Sequence, residues 1–261
     1  MPFPYKNVLI TGATSGIGRA LTDRMIAAGI FVIAVGRRED RMKELVAKHG
    51  DEKIALEVFD VSRLDTIAEW SSRIIARYPK LDCIILNAGM QQGIDFSQPT
   101  SINPGDLTAE IATNYLGPVH MITHFLPHLM SVAKSGRVPA AVVLVSSSLA
   151  LAPLPRCPNY CASKAALHSL AWTLRAQLTA ARCGVRVVEV LPPAVQTELH
   201  QRQGLPEVGV PLRQYADQTW KELREEDKDE FLWGSMFDGL EDGKRQVFEG
   251  WLGTARQGKF V

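Results

Sequence analysis

Tyr160 and Lys164 lie four positions apart in PNYCASKAAL, a segment whose pattern predicts a helix. At about 100° per residue, they share a face with Leu167 and Ala171, which should be buried. A lysine on an apolar face is costly unless its charge has a partner or a task. One interpretation is that Lys164 extends to water from the start of the helix. The other is proton chemistry, in which a tyrosine beside a cation acts as acid or base.

A glycine-rich run, TGATSGIG, follows the first strand-like segment and leads into a helical one. Glycines there let the backbone turn sharply and approach a pyrophosphate, which the helix N-terminus stabilises. The spacing is G-x-x-x-G-x-G instead of the common G-x-G-x-x-G, and a tight turn without a ligand would look the same. The position between strand and helix favours a cofactor loop. Its expected contact residues are Gly12, Thr14, Ser15, Gly16, Ile17 and Gly18.

The end of the second predicted strand, VGRRED, discriminates between cofactors. An acidic residue about 20 positions beyond the glycines normally holds a ribose diol, but Arg37 and Arg38 occupy that region. Arginine suits the 2′-phosphate of NADP(H), and the missing acid argues against the S-adenosylmethionine methyltransferases that share this architecture. Two alternatives stay open. Both arginines could be solvated, or Glu39 could reach the ribose and favour NAD(H).

The elements that must position these groups alternate along the chain. Short apolar runs predict strands at 7–11, 30–35, 53–59, 82–87, 140–146, 184–191 and 246–250. Helical patterns lie near 16–28, 39–49, 63–77, 106–131 and 159–182. The alternation predicts an α/β fold of the Rossmann type, a single doubly wound domain over 1–261. Its seven-stranded parallel sheet should carry helices on both faces.

Residues 194–245 break this alternation and follow the sixth predicted strand. Ligands bind at the carboxyl ends of strands in such sheets, so this segment is expected to act as a substrate loop or lid. Its charged run, KELREEDKDE, should be a solvated helix face or loop.

Composition excludes several classes of partner. Of 261 residues, 46% are hydrophobic and 22% charged, and the formal net charge is +1. These values give no electrostatic reason to expect nucleic acid or an anionic membrane. No apolar run approaches the roughly 20 residues of a membrane span, and no signal-peptide pattern opens the sequence. The four cysteines form no CxxC pair, which suits a reducing compartment, so we expect a cytoplasmic protein.

Together the motifs resemble those of the short-chain dehydrogenase/reductase family, in its compact branch, over about residues 7–200. Beyond the glycine loop, the resemblance rests on FDV, NAG, TNYLG, VSSSLA and YxxxK, in family order. The segment PPAVQT departs from the family pattern, because Pro192 matches it but Pro193 does not. Ser147 lies thirteen residues before Tyr160, the usual family spacing. Membership implies an NAD(P)-dependent oxidoreductase acting on a small-molecule carbonyl or secondary alcohol, assembled as a homodimer or homotetramer.

The resemblance also implies residue roles. Ser147 would polarise the carbonyl, Tyr160 would donate the proton, and Lys164 would hold the nicotinamide ribose. Asn114 would anchor a water that passes protons to Lys164. Taken singly, Ser147 could cap its strand and Asn114 could be an ordinary helix residue. Further cofactor contacts would come from Asp60, Val61, Asn87, Ala88, Gly89, Pro192, Val195 and Thr197.

Reducing a ketone by hydride needs a proton donor, and Tyr160 can serve if its pKa falls from about 10 toward neutrality. A positive charge about 4 Å away, at an effective dielectric constant of 20, contributes about 4 kcal/mol. That energy corresponds to at most roughly 3 pKa units. We therefore predict that Lys164 lowers the pKa of Tyr160.

The substrate should lie against MQQGIDF, SLALAPLPR and the loop 194–215. Arg156 and Arg202 are the nearby cations, but nothing clusters like a clamp for a carboxylate or phosphate. We predict a neutral, fairly lipophilic substrate; a member that binds cofactor without turnover is the alternative. The expected substrate contacts are Met90, Gln91, Leu149, Leu154 and Pro193. Pro193 replaces the usual family glycine, and proline should stiffen this loop.

His120, His124 and His128 are spaced to share a helix face, which could suggest zinc. No acid or cysteine nearby completes a shell, and Pro127 should interrupt the helix. We predict no metal, and expect these residues to face solvent or another subunit.

Overall fold

One parallel sheet orders the chain. The computed structural model describes residues 3–136, 138–201, 203–225, 227–233 and 239–256. Its strands in that part are β1 Asn7–Thr11, β2 Phe31–Gly36, β3 Ile54–Val58, β4 Cys83–Leu86, β5 Ala140–Val145, β6 Val185–Leu191 and β7 Glu230–Leu232. They pair in the order β3-β2-β1-β4-β5-β6-β7, all parallel. The order reverses between β1 and β4, where a cleft opens at the carboxyl ends of the strands. The predicted Rossmann-type fold is confirmed.

Helices cover both faces of this sheet. In the described part of the chain they are α1 Gly16–Ala27, α2 Glu39–His49, α3 Ile67–Arg77, α4 Pro104–Ile111, α5 Gly117–Lys134, α6 Pro158–Ala180, α7 Glu198–Gln201, α8 Leu212–Glu225 and α9 Asp242–Arg256. Successive strand residues point to opposite faces. Leu9 therefore packs in a core with α3, α5 and α6, while Val8 packs in a second core with α1, α2 and α8. None of the described helices is long and apolar enough to cross a membrane.

The helix that carries the tyrosine–lysine pair, α6, begins at Pro158. Proline suits the first helical position because the N–H that it lacks would have no helical partner there. The buried face of α6 includes Tyr160, Lys164, Leu167 and Ala171, as the spacing predicts. Lys164 is only 3% exposed. Its charge therefore does not reach water, which excludes the first interpretation of this lysine.

The prediction of one helix over 106–131 is wrong. A π-turn at Ala112–Leu116 separates α4 from α5, and its wider hydrogen-bonded loops change the helical phase. The predicted interruption at Pro127 is also wrong, because α5 runs through it. A proline removes one helical hydrogen bond, but Pro127 is exposed while Phe125 and Leu129 are fully buried beside it. Their packing maintains the helix.

The predicted strand at 246–250 is wrong as well, because these residues belong to α9. Phe248 and Leu252 recur at helical spacing, so the same short apolar run fits a helix. The seventh strand is β7, at the end of the run predicted to be solvated. Arginines stabilise it there: Arg175 Nη1 donates to Glu230 Oε1 at 2.7 Å, and Arg186 Nε donates to Asp229 Oδ1 at 2.7 Å.

Part of the segment 194–245 packs into the body of the domain. Asp217 of α8 accepts a hydrogen bond from Arg24 of α1 at 2.6 Å. Trp220 of α8 contacts the ring of Phe3, with centroids 5.1 Å apart. This packing leaves the residues between β6 and α8 beside the cleft.

Candidate active site

Two adjoining cavities open at the carboxyl ends of the strands. The larger has a volume of about 570 Å³ and the smaller about 120 Å³. They share the lining residues Gly12, Ser15, Ala88 and Gly89. The larger also receives the predicted cofactor residues Gly16, Ile17, Asn87, Pro192, Val195 and Thr197. The smaller receives Thr14, Arg37, Arg38, Asp60 and Val61. The fold therefore brings predicted cofactor residues from five separate loops to one cleft.

The glycine loop is packed too closely for side chains. A Cβ on Gly18 would lie 2.3 Å from the Gly12 carbonyl oxygen and 2.4 Å from Asn87 Nδ2. Gly18 therefore lets α1 approach the strand loops instead of lining a cavity. Asn87 Nδ2 donates to the Thr11 carbonyl at 2.9 Å, which fastens the NAG segment to β1. Gly12 has φ +70° and Gly16 φ +51°, a region that favours glycine.

The start of α1 fits an anionic ligand. Ser15 precedes the helix in extended conformation, and its side chain makes no capping bond to the described residues. The N–H groups of the first turn have no helical acceptors. They point, with the positive end of the helix dipole, to where a pyrophosphate would lie. The residues present therefore fit a dinucleotide.

The groups after β2 are those that the two cofactor hypotheses invoke. Arg37 Nη1 lies 3.5 Å from Asp60 Oδ2. Arg38 donates to Thr14 Oγ1 through Nε at 3.3 Å and Nη2 at 3.1 Å, so it lies across the glycine loop. Glu39, the candidate ribose ligand for NAD(H), is exposed and pairs instead with Lys43 at 2.9 Å.

The catalytic candidates lie close together and are buried. Tyr160, Ser147 and Lys164 line the larger cavity. Lys164 Nζ donates to the Val145 carbonyl at 2.8 Å and lies 5.7 Å from the Tyr160 ring centroid. Asn114 is fully buried behind the cavity. A Cβ built on Gly89 would lie 3.4 Å from Asn114 Oδ1 and 3.6 Å from Lys164 Nζ, so the two side chains converge on this glycine.

Asn114 lies in the π-turn, and hydrogen bonds of its side-chain amide hold it in place. Its Nδ2 donates to the Met90 carbonyl at 2.9 Å and to Ser163 Oγ at 3.0 Å. Its Oδ1 accepts from the Met90 N–H at 2.9 Å. The turn therefore aligns α4, α6 and the NAG segment around one amide.

The predicted lowering of the Tyr160 pKa is wrong for the chain by itself. Burial raises the pKa of Tyr160, and the neighbouring Ser147 hydroxyl opposes that rise without cancelling it. Burial also lowers the pKa of Lys164 to about 8, opposed by the charge of Glu189. Lys164 directs its hydrogen bond to Val145, and desolvation is the largest cause of both pKa shifts.

Sequence reasoning missed a buried polar network beyond Lys164. Glu189 of β6 is fully buried and accepts a short hydrogen bond from Ser146 Oγ. His168 Nδ1 lies 2.9 Å from Glu189 Oε2, and its Nε2 lies 2.8 Å from Glu241 Oε2. Burial opposes charge on His168, but the two carboxylates outweigh it and raise the His168 pKa. The one available signal was a glutamate inside VRVVEVL.

Most of the predicted substrate residues line the larger cavity: Gln91, Leu149, Leu154 and Pro193. Met90 does not; its backbone holds Asn114 instead. The loop 194–215, expected to border the substrate, contributes further lining residues: Ala194, Glu198, Leu199, His200, Leu205, Pro206 and Val208. Arg202 lies outside the described residues.

The cation at the cavity wall is already engaged. Arg156 Nη2 donates to Gln91 Oε1 at 3.0 Å, and its Nη1 donates to Gln203 Oε1 at 2.6 Å.

On α5, His128 Nε2 lies 2.9 Å from the Leu81 carbonyl, and no group of three or more metal-ligating side chains occurs in the described part of the chain.

Known proteins are similar to this chain in sequence. A family model described as short chain dehydrogenase matches residues 6–207. The chain is 37% identical over 258 residues to the uncharacterized oxidoreductase DltE of Bacillus subtilis, covering 95% of this chain and 96% of that protein. It is 31% identical over 188 residues to the NADP-dependent 3-hydroxy acid dehydrogenase YdfG of Shigella flexneri, covering 72% of each.

A solved structure extends the likeness to the fold. It is a short chain dehydrogenase from Burkholderia cenocepacia in complex with NADP, with a TM-score of 0.75 and 27% identity, covering 97% of this chain and 99% of that one. Since the family model spans the glycine loop, the NAG segment and the tyrosine–lysine helix, the chain belongs to the short chain dehydrogenase family of oxidoreductases.

Proposed function

We propose that the protein is an NADP(H)-dependent enzyme that interconverts a neutral, lipophilic carbonyl compound and its secondary alcohol. The observation that carries the proposal is the continuity of the two cavities: Ser147, Tyr160 and Lys164 line the first, and Arg37 and Arg38 line the second. The NADP complex of the Burkholderia protein and the NADP dependence of the Shigella protein support the choice of cofactor.

The cofactor is proposed to extend along both cavities. The first turn of α1 would bind the pyrophosphate, Arg37 and Arg38 the 2′-phosphate, and Asp60 and Val61 the adenine. Asn87, Ala88, Val195 and Thr197 would border the nicotinamide half. When bound, the nicotinamide supplies or takes up the hydride. NAD(H) is the alternative, and the pairing of Glu39 with Lys43 disfavours it.

Tyr160 is proposed as the acid and base. Because burial raises its pKa, the phenol keeps its proton at neutral pH and releases it to a strong base such as a developing alkoxide. Ser147 Oγ accepts from the Leu149 N–H at 3.1 Å. The same hydroxyl donates to the Pro192 carbonyl over a long oxygen–oxygen distance of 3.5 Å, so it can turn to the substrate oxygen.

Lys164 and Asn114 are proposed to return a proton to Tyr160 after Tyr160 has donated its own. With a pKa of about 8, Lys164 can give up and regain a proton near neutral pH. Asn114 Oδ1 has a second lone pair beyond its bond to Met90, and that lone pair can hold a water beside Lys164. These two roles follow the family resemblance and suit the convergence of both groups on Gly89.

The substrate class follows from the lining of the larger cavity. Leu149, Leu154, Leu205 and Val208 are apolar, and amide oxygens already occupy two donors of Arg156. We propose that the residues between β6 and α8 close over such a substrate, with Pro193 stiffening the start of the loop.

The test is a panel of ketones, keto acids and secondary alcohols, followed by the absorbance of the reduced nicotinamide. We expect turnover of neutral lipophilic compounds with NADPH, and a loss of at least about 100-fold for Tyr160→Phe without loss of NADPH binding. Tyr78→Phe is the matched control, because Tyr78 packs against Phe31 at the opposite end of β2. Equal turnover of small keto acids would contradict the substrate class. Full activity of Tyr160→Phe would contradict the mechanism.

We also propose a cytoplasmic location and a homo-oligomeric assembly. All four cysteines are free thiols and buried, which suits a cytoplasmic protein in a reducing environment. The homodimer or homotetramer follows the family resemblance, and light scattering of the purified protein measures it directly.

A further inference from the structure

Glu198, at the start of α7, bridges the substrate loop to the end of β2. Its Oε2 accepts from Arg38 Nη1 at 2.9 Å, and its Oε1 accepts a short hydrogen bond from Arg41 Nη1. The carboxylate is 33% exposed. Burial opposes its charge, but the two arginines outweigh it and lower the pKa of Glu198 to about 2. Glu198 is therefore a carboxylate anion at neutral pH.

The Glu198 carboxylate binds a guanidinium group that an anionic ligand in the smaller cavity would also bind. Arg38 directs Nε and Nη2 to Thr14 of the glycine loop and turns its remaining donor group to Glu198. Thr14 and Arg38 both line the smaller cavity. An anion on the 2′-oxygen of a bound adenosine would seek the same guanidinium groups, and two adjacent anions repel each other.

We propose that Glu198 is an internal competitor of the 2′-phosphate. In this proposal, it holds Arg38 and Arg41 in the cofactor-free protein and gives them up when the phosphate binds, so Arg41 becomes a phosphate ligand. The exchange favours the phosphate, which carries close to two negative charges and three acceptor oxygens. The inference rests on the proposed use of NADP(H).

Releasing Glu198 has a consequence at the other end of the cleft. Glu198 itself and its neighbours Thr197, Leu199 and His200 line the larger cavity. Moving the bridge therefore changes the wall of the substrate site, so the phosphate end of the cofactor is coupled to the substrate end. Such coupling acts equally in both directions.

Calorimetry with two cofactor fragments tests the competition without any turnover. Adenosine 2′,5′-bisphosphate carries the 2′-phosphate, and adenosine 5′-monophosphate lacks it. We expect Glu198→Gln to bind the bisphosphate at least about fivefold more tightly than the native protein does, with the monophosphate unchanged. Glu207→Gln is the matched control, because Glu207 is exposed in the same segment, and it should change neither affinity.

Hydrogen exchange on the native protein gives a second readout that needs no variant. The bisphosphate should increase amide exchange across 198–201, and the monophosphate should not. Unchanged or weaker bisphosphate binding by Glu198→Gln would overturn the proposal, because Glu198 would then position the arginines. Failure of the proposed function has another signature: native protein that prefers the monophosphate, and an Arg38→Ala variant that binds both fragments as the native protein does.

Discussion

Lys164 illustrates what the site demands of a single residue. A lysine that is 3% exposed and whose pKa falls to about 8 destabilises the folded chain while it carries a proton. Its pKa in the unfolded chain is about 10.4. The penalty is full below pH 8 and vanishes as the pH rises through about 10.4, because in that range only the unfolded chain still binds the proton.

We therefore expect Lys164→Met to abolish turnover and yet raise the free energy of unfolding by about 1–3 kcal/mol at pH 7. The gain over the native protein should shrink as the pH rises from 8 to 10. Urea denaturation of both proteins at several pH values measures it. Lys134→Met is the control, since Lys134 is exposed at the end of α5 and should show no such pH dependence. A less stable Lys164→Met at pH 7 would contradict the argument.

At the scale of single residues, the sequence predicted the positions of the catalytic candidates better than their pKa values and hydrogen bonds. The motifs located the catalytic candidates, which the fold brings together although they lie in a π-turn, a loop after β5 and α6. The pKa of Tyr160 depends on burial and on where Lys164 directs its hydrogen bond, and neither can be seen in the spacing YxxxK. Glu198 meets Arg38 across 160 positions, a contact that only the folded sheet creates.

Among the elements, α9 is joined to α6 by aromatic and polar contacts, and Trp172 of α6 lies 5.5 Å from Phe248 of α9 between ring centroids. His168 binds Glu241, just before α9, at 2.8 Å. Arg245 pairs with Glu230 and lies 4.8 Å from the Trp172 ring centroid. Because His168 titrates, the strength of this attachment depends on pH.

The sign follows from two pKa shifts. The His168 pKa is raised, so its contribution is full below about pH 6.5 and is lost as the pH rises through the folded value. The Glu241 pKa is lowered: burial opposes its charge, but Lys244 and His168 outweigh it. Its contribution is lost only as the pH falls through that lowered value. The contact between His168 and Glu241 is therefore strongest at pH values between the lowered pKa of Glu241 and the raised pKa of His168.

We expect Glu241→Gln to lower the free energy of unfolding by about 1–2 kcal/mol at pH 6 and by much less at pH 9. Thermal denaturation of both proteins at the two pH values measures it. Glu249→Gln, an exposed position in α9, is the control. An equal loss at both pH values would show that His168 is not the titrating partner.

Periodicity predicted the first six strands because both faces of each are covered by helices, so their apolar runs are unmistakable. Periodicity failed for β7 and α9, because the polar run contains the strand and the apolar run lies in the helix. Three residues beginning with a glutamate form the strand, and an apolar run lies in a helix. Edge elements depend on ion pairs with distant residues such as Arg175, and no local pattern reports those.

In the whole molecule, the two cavities join segments from the full length of the sheet, so a ligand along them stabilises the folded state. A ligand at 100 times its Kd contributes about 2.7 kcal/mol. At equal concentration, we expect NADPH to raise the Tm by several degrees more than NADH does. Arg38→Ala should remove most of that difference, and scanning calorimetry measures it. Equal shifts for both cofactors in the native protein would contradict the proposed preference.

The π-turn at Ala112–Leu116 holds one residue more than a regular helical turn. If the same residues formed a regular α-helical turn instead, α4 would rotate by about 100° relative to α5. Glu110, fully buried where Asn159 Nδ2 donates to it at 2.6 Å, would swing away from α6. The hydrogen-bonding pattern of this turn therefore sets the angular phase between two helices, and a change in that pattern alone would misalign them.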